Sequence, residues 1–168
     1  GVRRVFVASG LRHDLVLADA AHGDAYLEEL AAHHVSGQLK VAPEHSERHV
    51  LELMGKPDIA LLSAFKACFD ALARRFGKRQ FLTFYLMAAH PGCDDEDMRK
   101  LRDFALRHLG LLPAQVQIFT PAPSTRSTAM YCTGRDPATG RPVFVARGTA
   151  ARERQKAIVA RRERGDKR

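Results

Sequence analysis

The sequence contains no run of about 18 or more apolar residues, the length a helix needs to cross a bilayer. Residues 1–30 also lack the basic start, apolar middle and small-residue cleavage site of a secretory leader. Cysteine is scarce: Cys68, Cys93 and Cys132 are odd in number and far apart, which excludes a disulfide framework and points to a reducing compartment. A soluble, cytoplasmic protein is therefore expected, with no membrane partner. There is no initiating methionine either, because Gly1 leads almost directly into the apolar run Val5-Phe6-Val7-Ala8, an abrupt start that suggests a fragment.

What is present is enough for a folded domain. The 168 residues are 45% hydrophobic, which suits one compact unit with a real core. The formal net charge is +8, but residues 147–168 hold nine Lys/Arg against Glu153, Glu163 and Asp166, or +6, which leaves +2 for residues 1–146. The basic character thus belongs mainly to a tail, and a division into a body at 1–146 and a basic helical tail at 147–168 follows. No aromatic residues interleave the basic tail, so any nucleic acid it held would be bound through phosphates, without base stacking.

Hydrophobic periodicity divides the body into alternating elements. Val2–Ser9 reads as a buried strand ending at Gly10, and Asp24–Val35 as a helix with Leu27, Leu30, Ala31 and His34 on one face. A second strand, Gly37–Ala42, stops at Pro43, which has no N–H to continue a ladder. Asp58 then caps a helix reaching Phe76, with the stripe Leu62, Phe65, Phe69, Leu72 and Phe76, and Gly77 terminates it. The third strand, Phe81–Ala89, is apolar along nearly its whole length, as a strand covered on both faces would be. Asp94, Asp95, Glu96 and Asp97 place negative charge at the positive end of a helix to about His108. The fourth strand is Gln115–Thr120; Pro121–Pro142 is mostly loop, a short strand is allowed at Pro142–Ala146, and residues 149–164 form a basic helix. Strand and helix alternate three times and end on a strand, the pattern of an α/β fold with parallel strands and helical crossovers.

In barrels of parallel strands, loops at the C-terminal ends of the strands build the active site. Every such end here is polar: Ser9-Gly10-Leu11-Arg12-His13-Asp14, Ala42-Pro43-Glu44-His45, Ala89-His90-Pro91-Gly92, and Thr120-Pro121-Ala122-Pro123-Ser124-Thr125. Arg12 can clamp a carboxylate or phosphate with its planar fork, although pairing with Asp14 is the commoner use of such an arginine. Glu44 can accept hydrogen bonds from sugar hydroxyls or an ammonium group, or simply start a helix. His45 and His90 suit proton transfer or ligation, and equally a satisfied structural role. Gly92 allows close backbone approach to a ligand or a tight turn. Cys93, at a helix start, is read as a small capping-region residue and is assigned no catalysis.

Taken in order, Val7-Ala8-Ser9-Gly10-Leu11-Arg12, Lys40-Val41-Ala42-Pro43-Glu44-His45 and Ala89-His90-Pro91-Gly92 resemble the YgiQ-type radical S-adenosylmethionine (SAM) proteins, a group without an assigned reaction. The likeness continues through Gln115-Val116-Gln117, Phe119, Pro121, Pro123, Ser127-Thr128, Met130-Tyr131 and Thr133-Gly134 to Val143-Phe144-Val145 and Gln155-Lys156-Ala157. It departs at Phe84, Ala88 and Cys132, where Pro, Ser and Tyr would fit the pattern better. The resemblance implies a partial TIM-like barrel, about four of six strand-helix units, whose missing partner is the N-terminal half of the barrel. It also implies SAM and a 4Fe-4S cluster as cofactors of the whole protein, the cluster held by a Cys-x-x-x-Cys-x-x-Cys loop. No such spacing exists here, where the cysteines stand 25 and 39 residues apart, so no metal ligand is assigned in this chain and it is expected to be inactive alone. Carried over by position, Glu44 and His45 face the ribose or methionine part of SAM. Ala89, His90, Gly92, Pro121 and Thr125 frame its adenine, and Arg12 faces the substrate or the SAM carboxylate.

Two other classes suit parts of the same sequence. A barrel-type metal-dependent hydrolase would use His13, Glu44, His45 and His90 around an activated water, which requires at least three of them to converge. A non-catalytic module would use the tail from Arg147 to bind nucleic acid, with strong salt dependence.

Overall fold

A computed structural model of the chain describes residues 1–110 and 116–160. The expected start of the fourth strand at Gln115 and the end of the basic tail, residues 161–168, lie outside the described residues. The chain forms two compact units, one made of residues 1–43 with 57–85 and the other of residues 44–56 with the chain from Leu86 onward.

In the first unit, α1 (His13–Ala18) packs on α2 (Gly23–Glu29) and α4 (Ala60–Arg75), and α2 runs on into a π-helical turn, Leu30–His34. The long α4 follows its sequence signals closely. The Asp58 Oδ1 accepts from the Ala60 N–H at 2.8 Å at its start. At its end Gly77 takes φ +62°, and the N–H groups of Gly77 and Lys78 reach back to the carbonyls of Arg74 and Ala73 at 3.0 and 2.9 Å. Leu62, Phe65, Phe69 and Ala73 form its buried stripe, while Leu72 and Phe76 are only half-buried. Leu39 and Val41 of strand β1 (Gln38–Glu44) and Leu82 and Phe84 of strand β2 (Phe81–Ala88) are likewise buried core residues of this unit. On both strands buried and half-exposed residues alternate, so β2 is fully covered on one face only, contrary to its near-continuous apolar sequence.

The strand expected at Val2–Ser9 does not form a ladder. The Val7 N–H donates to the His34 carbonyl at 2.9 Å, and sheet-like pairing comes only at Leu11, bridged in parallel to Val41. Val2 is 85% exposed, Val5 61% and Phe6 44%, because among the described residues nothing covers the outer side of this segment. Apolar content alone mimics a buried strand; a second neighbour is needed to make one.

The second unit takes the end of the sheet, whose strand order is β1-β2-β3. β3 is short, Gln117–Ile118, and pairs in parallel with β2 through Met87–Gln117 and Ala88–Ile118. The described residues thus form a mixed α/β fold around an open three-stranded sheet, not a closed barrel. Helix α3 (Arg48–Met54) follows β1 and helix α5 (Asp95–Phe104) follows β2, continuing into a second π-helical turn, Ala105–Leu109. The acidic start of α5 is a full capping box: Asp94 accepts from the Glu96 and Asp97 N–H groups at 2.8 and 2.9 Å, and Asp97 accepts from the Asp94 N–H at 3.0 Å.

The proline-rich segment is not all loop. Helix α6 (Arg126–Thr133) lies inside it, capped by Thr125, whose Oγ1 accepts from the Thr128 N–H at 3.2 Å, and closed by Gly134. No strand forms at Pro142–Ala146, where only Pro142 bridges to Arg135. Helix α7 (Thr149–Val159) packs against α5 and β3.

Candidate functional site

The ends of the strands in the second unit carry the chemistry. Glu44, the last residue of β1, has φ +67°; Ala89, the residue after β2, has φ +59°; Ser124, in the loop after β3, has φ +63°. These are the non-glycine residues with left-handed backbone among those described, and each such conformation costs roughly 1–2 kcal/mol. Strain of this kind persists where the surroundings over-determine it, and it concentrates at functional sites.

The Glu44 side chain is 15% exposed, with Oε1 3.6 Å from the Lys56 ammonium. Its Oε2 is buried and has no hydrogen-bond partner. Burial raises the carboxyl pKa, and the nearby Lys56 charge only partly opposes this. A strained backbone thus presents a buried acceptor oxygen without a donor.

His45 is fully buried. Its Nδ1 accepts from the Glu47 N–H at 3.0 Å, which places the proton on Nε2, facing the Cys93 sulfur at 3.4 Å. Burial, above all, lowers its pKa to about 3, so the ring is neutral. Burial and then the acids Asp97 and Asp94 push the Cys93 thiol far up, so it stays protonated, its S–H directed at the Asp94 carbonyl. A neutral imidazole beside a protonated thiol is not an activated nucleophile.

His90 is 2% exposed and differently bonded. Its Nδ1–H donates to the Pro91 carbonyl at 2.8 Å, leaving Nε2 to accept from the Ser127 hydroxyl at 2.8 Å. The Phe119 ring meets the imidazole edge-on, with centroids 5.1 Å apart. Burial lowers the pKa of His90 and keeps the ring neutral, a base whose other nitrogen is already oriented. Ser127 and the fully buried Gln155 were not among the sequence candidates. Gln155 Oε1 accepts from the Ala89 N–H and its Nε2 donates to the Cys93 carbonyl, both at 2.9 Å.

The other candidates fall into quieter places. Arg12 lies in the first unit, its guanidinium held by Asp14 at 2.8 and 2.5 Å, which raises the Arg12 pKa and lowers that of Asp14. Gly92 has φ +92°, a backbone that favours glycine, and a β-carbon there would come within 2.2 Å of a Leu53 methyl, which would have to move aside. Thr125 is the α6 cap, and Pro121 is half-buried. His13 is buried in the first unit with its ring edge-on to Phe65.

Among the described residues no group of three or more His, Cys, Asp or Glu side chains is placed to hold a metal ion. The hydrolase set His13, Glu44, His45 and His90 therefore does not converge, and Cys68 and Cys132 are exposed while Cys93 is buried. Several basic residues of the tail are engaged within the chain. Arg147 donates to the carbonyls of Tyr131 and Cys132, Arg152 to that of Phe119 at 2.6 Å, and Arg154 pairs with Asp95 at 2.7 Å. No helix among the described residues is long and apolar enough to cross a membrane.

Residues 114–166 match a family model described as a domain of unknown function, DUF3362. Over 99% of its length the chain is 46% identical to a UPF0313 protein of Fusobacterium nucleatum, and over 98% it is 47% identical to one of Thermotoga petrophila. It spans 29% of each of those relatives. A UPF0313 protein of Methanosarcina mazei is 45% identical over 95% of the chain, which covers 25% of that relative. These matches run almost end to end along the chain, which is similar to those UPF0313 proteins over under a third of their length.

Proposed function

We propose that this chain supplies cofactor-facing strand ends of a radical SAM enzyme, a cytoplasmic protein whose remaining barrel strands and cluster-binding loop belong to the longer chain its relatives possess. The observation that carries this reading is Glu44, a strained, largely buried carboxylate with one oxygen lacking a donor, at the C-terminal end of a strand in an α/β sheet. The ribose hydroxyls and the ammonium group of SAM are donors of the kind that oxygen lacks. SAM therefore fits the residues present, and the loop at residues 89–92 with the α6 start at Thr125 would flank it.

A 4Fe-4S cluster does not fit this chain. Its ligands are cysteine sulfurs gathered at one place, whereas Cys68 and Cys132 are exposed, Cys93 is buried, and the three form no common site. When bound with a cluster held elsewhere in the protein, SAM supplies a radical on reduction. The part assigned to this chain is to bind and orient the cofactor and to keep water from it.

Glu44→Gln and Glu44→Ala in the full-length protein, loaded with cluster under anaerobic conditions, should weaken SAM binding about tenfold or more by calorimetry, as expected for a lost charge-assisted hydrogen bond. Affinity equal to that of the unaltered protein in both variants would remove Glu44 from the site.

A further inference from the structure

The loop from Ala89 to Cys93 is gripped at both ends by one side chain. Gln155 lies on α7, more than 60 residues away in sequence and fully buried, and it spends its amide oxygen on the Ala89 N–H and its amide nitrogen on the Cys93 carbonyl. Between those two anchor points stand His90, Pro91 and Gly92. A second tie comes from the Gly92 N–H, which donates to the Phe144 carbonyl at 2.8 Å.

Chemistry explains why glutamine sits there. A leucine would fill similar space but leave a buried N–H and a buried carbonyl unpaired, a loss of roughly 1–3 kcal/mol for each. Ala89 is left-handed without being glycine, so something outside the loop must hold it there. The Gln155 oxygen bonds directly to that residue. The result is felt at the next position, where the His90 ring is pinned by the Pro91 carbonyl on one nitrogen and by Ser127 on the other.

We infer that Gln155 is a positioning residue for the His90–Ser127 pair, and that α7, which lies in the stretch similar to a domain of unknown function, braces the strand-end loop. Gln155 fixes the loop, the loop fixes the tautomer of His90, and His90 takes the Ser127 proton as a hydrogen-bond acceptor. The Ser127 oxygen then offers only lone pairs to a ligand, which selects a donor such as an amine or a hydroxyl. The role in ligand binding rests on the radical SAM reading; the grip on the loop does not.

The test uses the full-length protein and two variants, Gln155→Leu and Gln155→Glu. Hydrogen exchange resolved to the Ala89 amide is read together with the nitrogen signals of the His90 ring and the affinity for SAM. In Gln155→Leu the Ala89 amide should exchange at least about tenfold faster, the His90 signals should lose the single Nδ1–H tautomer, and SAM affinity should fall, while the amides of residues 152–159 stay protected. In Gln155→Glu a protonated carboxyl can make both bonds, so protection of Ala89 and the His90 tautomer should return as the pH is lowered.

Unchanged Ala89 exchange and unchanged His90 signals in Gln155→Leu would overturn the inference. If residues 152–159 lose protection as well, the glutamate variant decides: recovery at low pH supports the positioning role, and no recovery at any pH overturns it. Should the unaltered protein fail to bind SAM, the radical SAM reading falls, while exchange and ring signals still judge the role of Gln155.

Discussion

Burial of His45 as a neutral ring makes the fold sensitive to mild acid. Its folded pKa is lowered from 6.5 to about 3, mainly by burial. Between those values the unfolded chain binds a proton that the folded chain refuses, so stability rises with pH across this window and is lost as pH falls through it. A shift of one pKa unit is worth about 1.4 kcal/mol, so lowering the pH from 7 to 5 should cost about 2 kcal/mol from this ring alone. The lowered pKa of His90 acts in the same direction. The raised pKa of Glu44 acts in the opposite one, since a group that binds its proton more readily when folded stabilises on acidification. Asp14 and Asp94, held below the ordinary carboxylate range, lose their contributions only at lower pH.

The assay is urea unfolding at pH 7 and pH 5, of the unaltered protein and of His45→Asn. The asparagine can still accept from the Glu47 N–H but cannot titrate. The variant should be less stable at pH 7 yet lose about 2 kcal/mol less than the unaltered protein on going to pH 5. Equal losses in both proteins would refute the assignment of the acid sensitivity to His45.

Thiol reactivity gives a second check: native protein treated with iodoacetamide at neutral pH should be alkylated at the exposed Cys68 and Cys132 but not at Cys93, which is buried and protonated. Mass spectrometry showing Cys93 modified as fast as the other two would contradict its placement. Gly92→Ala should destabilise the protein by roughly 1–3 kcal/mol, combining a left-handed backbone with displacement of the Leu53 methyl. A thermal midpoint unchanged by that substitution would show that the loop tolerates a side chain.

How much could be read in advance depended on how local the cause was. Helix α4 was legible from the spacing of Leu62, Phe65 and Phe69 and from Asp58 and Gly77, because stripe and caps act within one helix. The capping box of Asp94 and Asp97 was foreshadowed by four consecutive acids. Helix α6 was hidden by the flanking prolines, although Thr125 and Gly134 mark its two ends. Val2–Ser9 misled because its apolar residues describe a preference for neighbours, not their presence. At the site, the strand-end motifs led to Glu44, His45 and His90, and Arg12 proved to be paired as its neighbour Asp14 suggests. Gln155 stood within the resemblance, but its role was illegible because it bonds to backbone groups, which have no residue identity to recognise.

The path of the chain between its two units has a consequence for dissecting the protein. The chain leaves the first unit after Pro43, returns at Pro57 and leaves again within strand β2, after Tyr85. No single cut therefore separates the units: a truncation at residue 56 deprives the first of α4 and β2, and one at residue 86 leaves the second without α3 and the Glu44 strand end. Gene fragments that split this region in two would each carry a partial unit, and parts exchanged between relatives would have to travel as the interleaved whole.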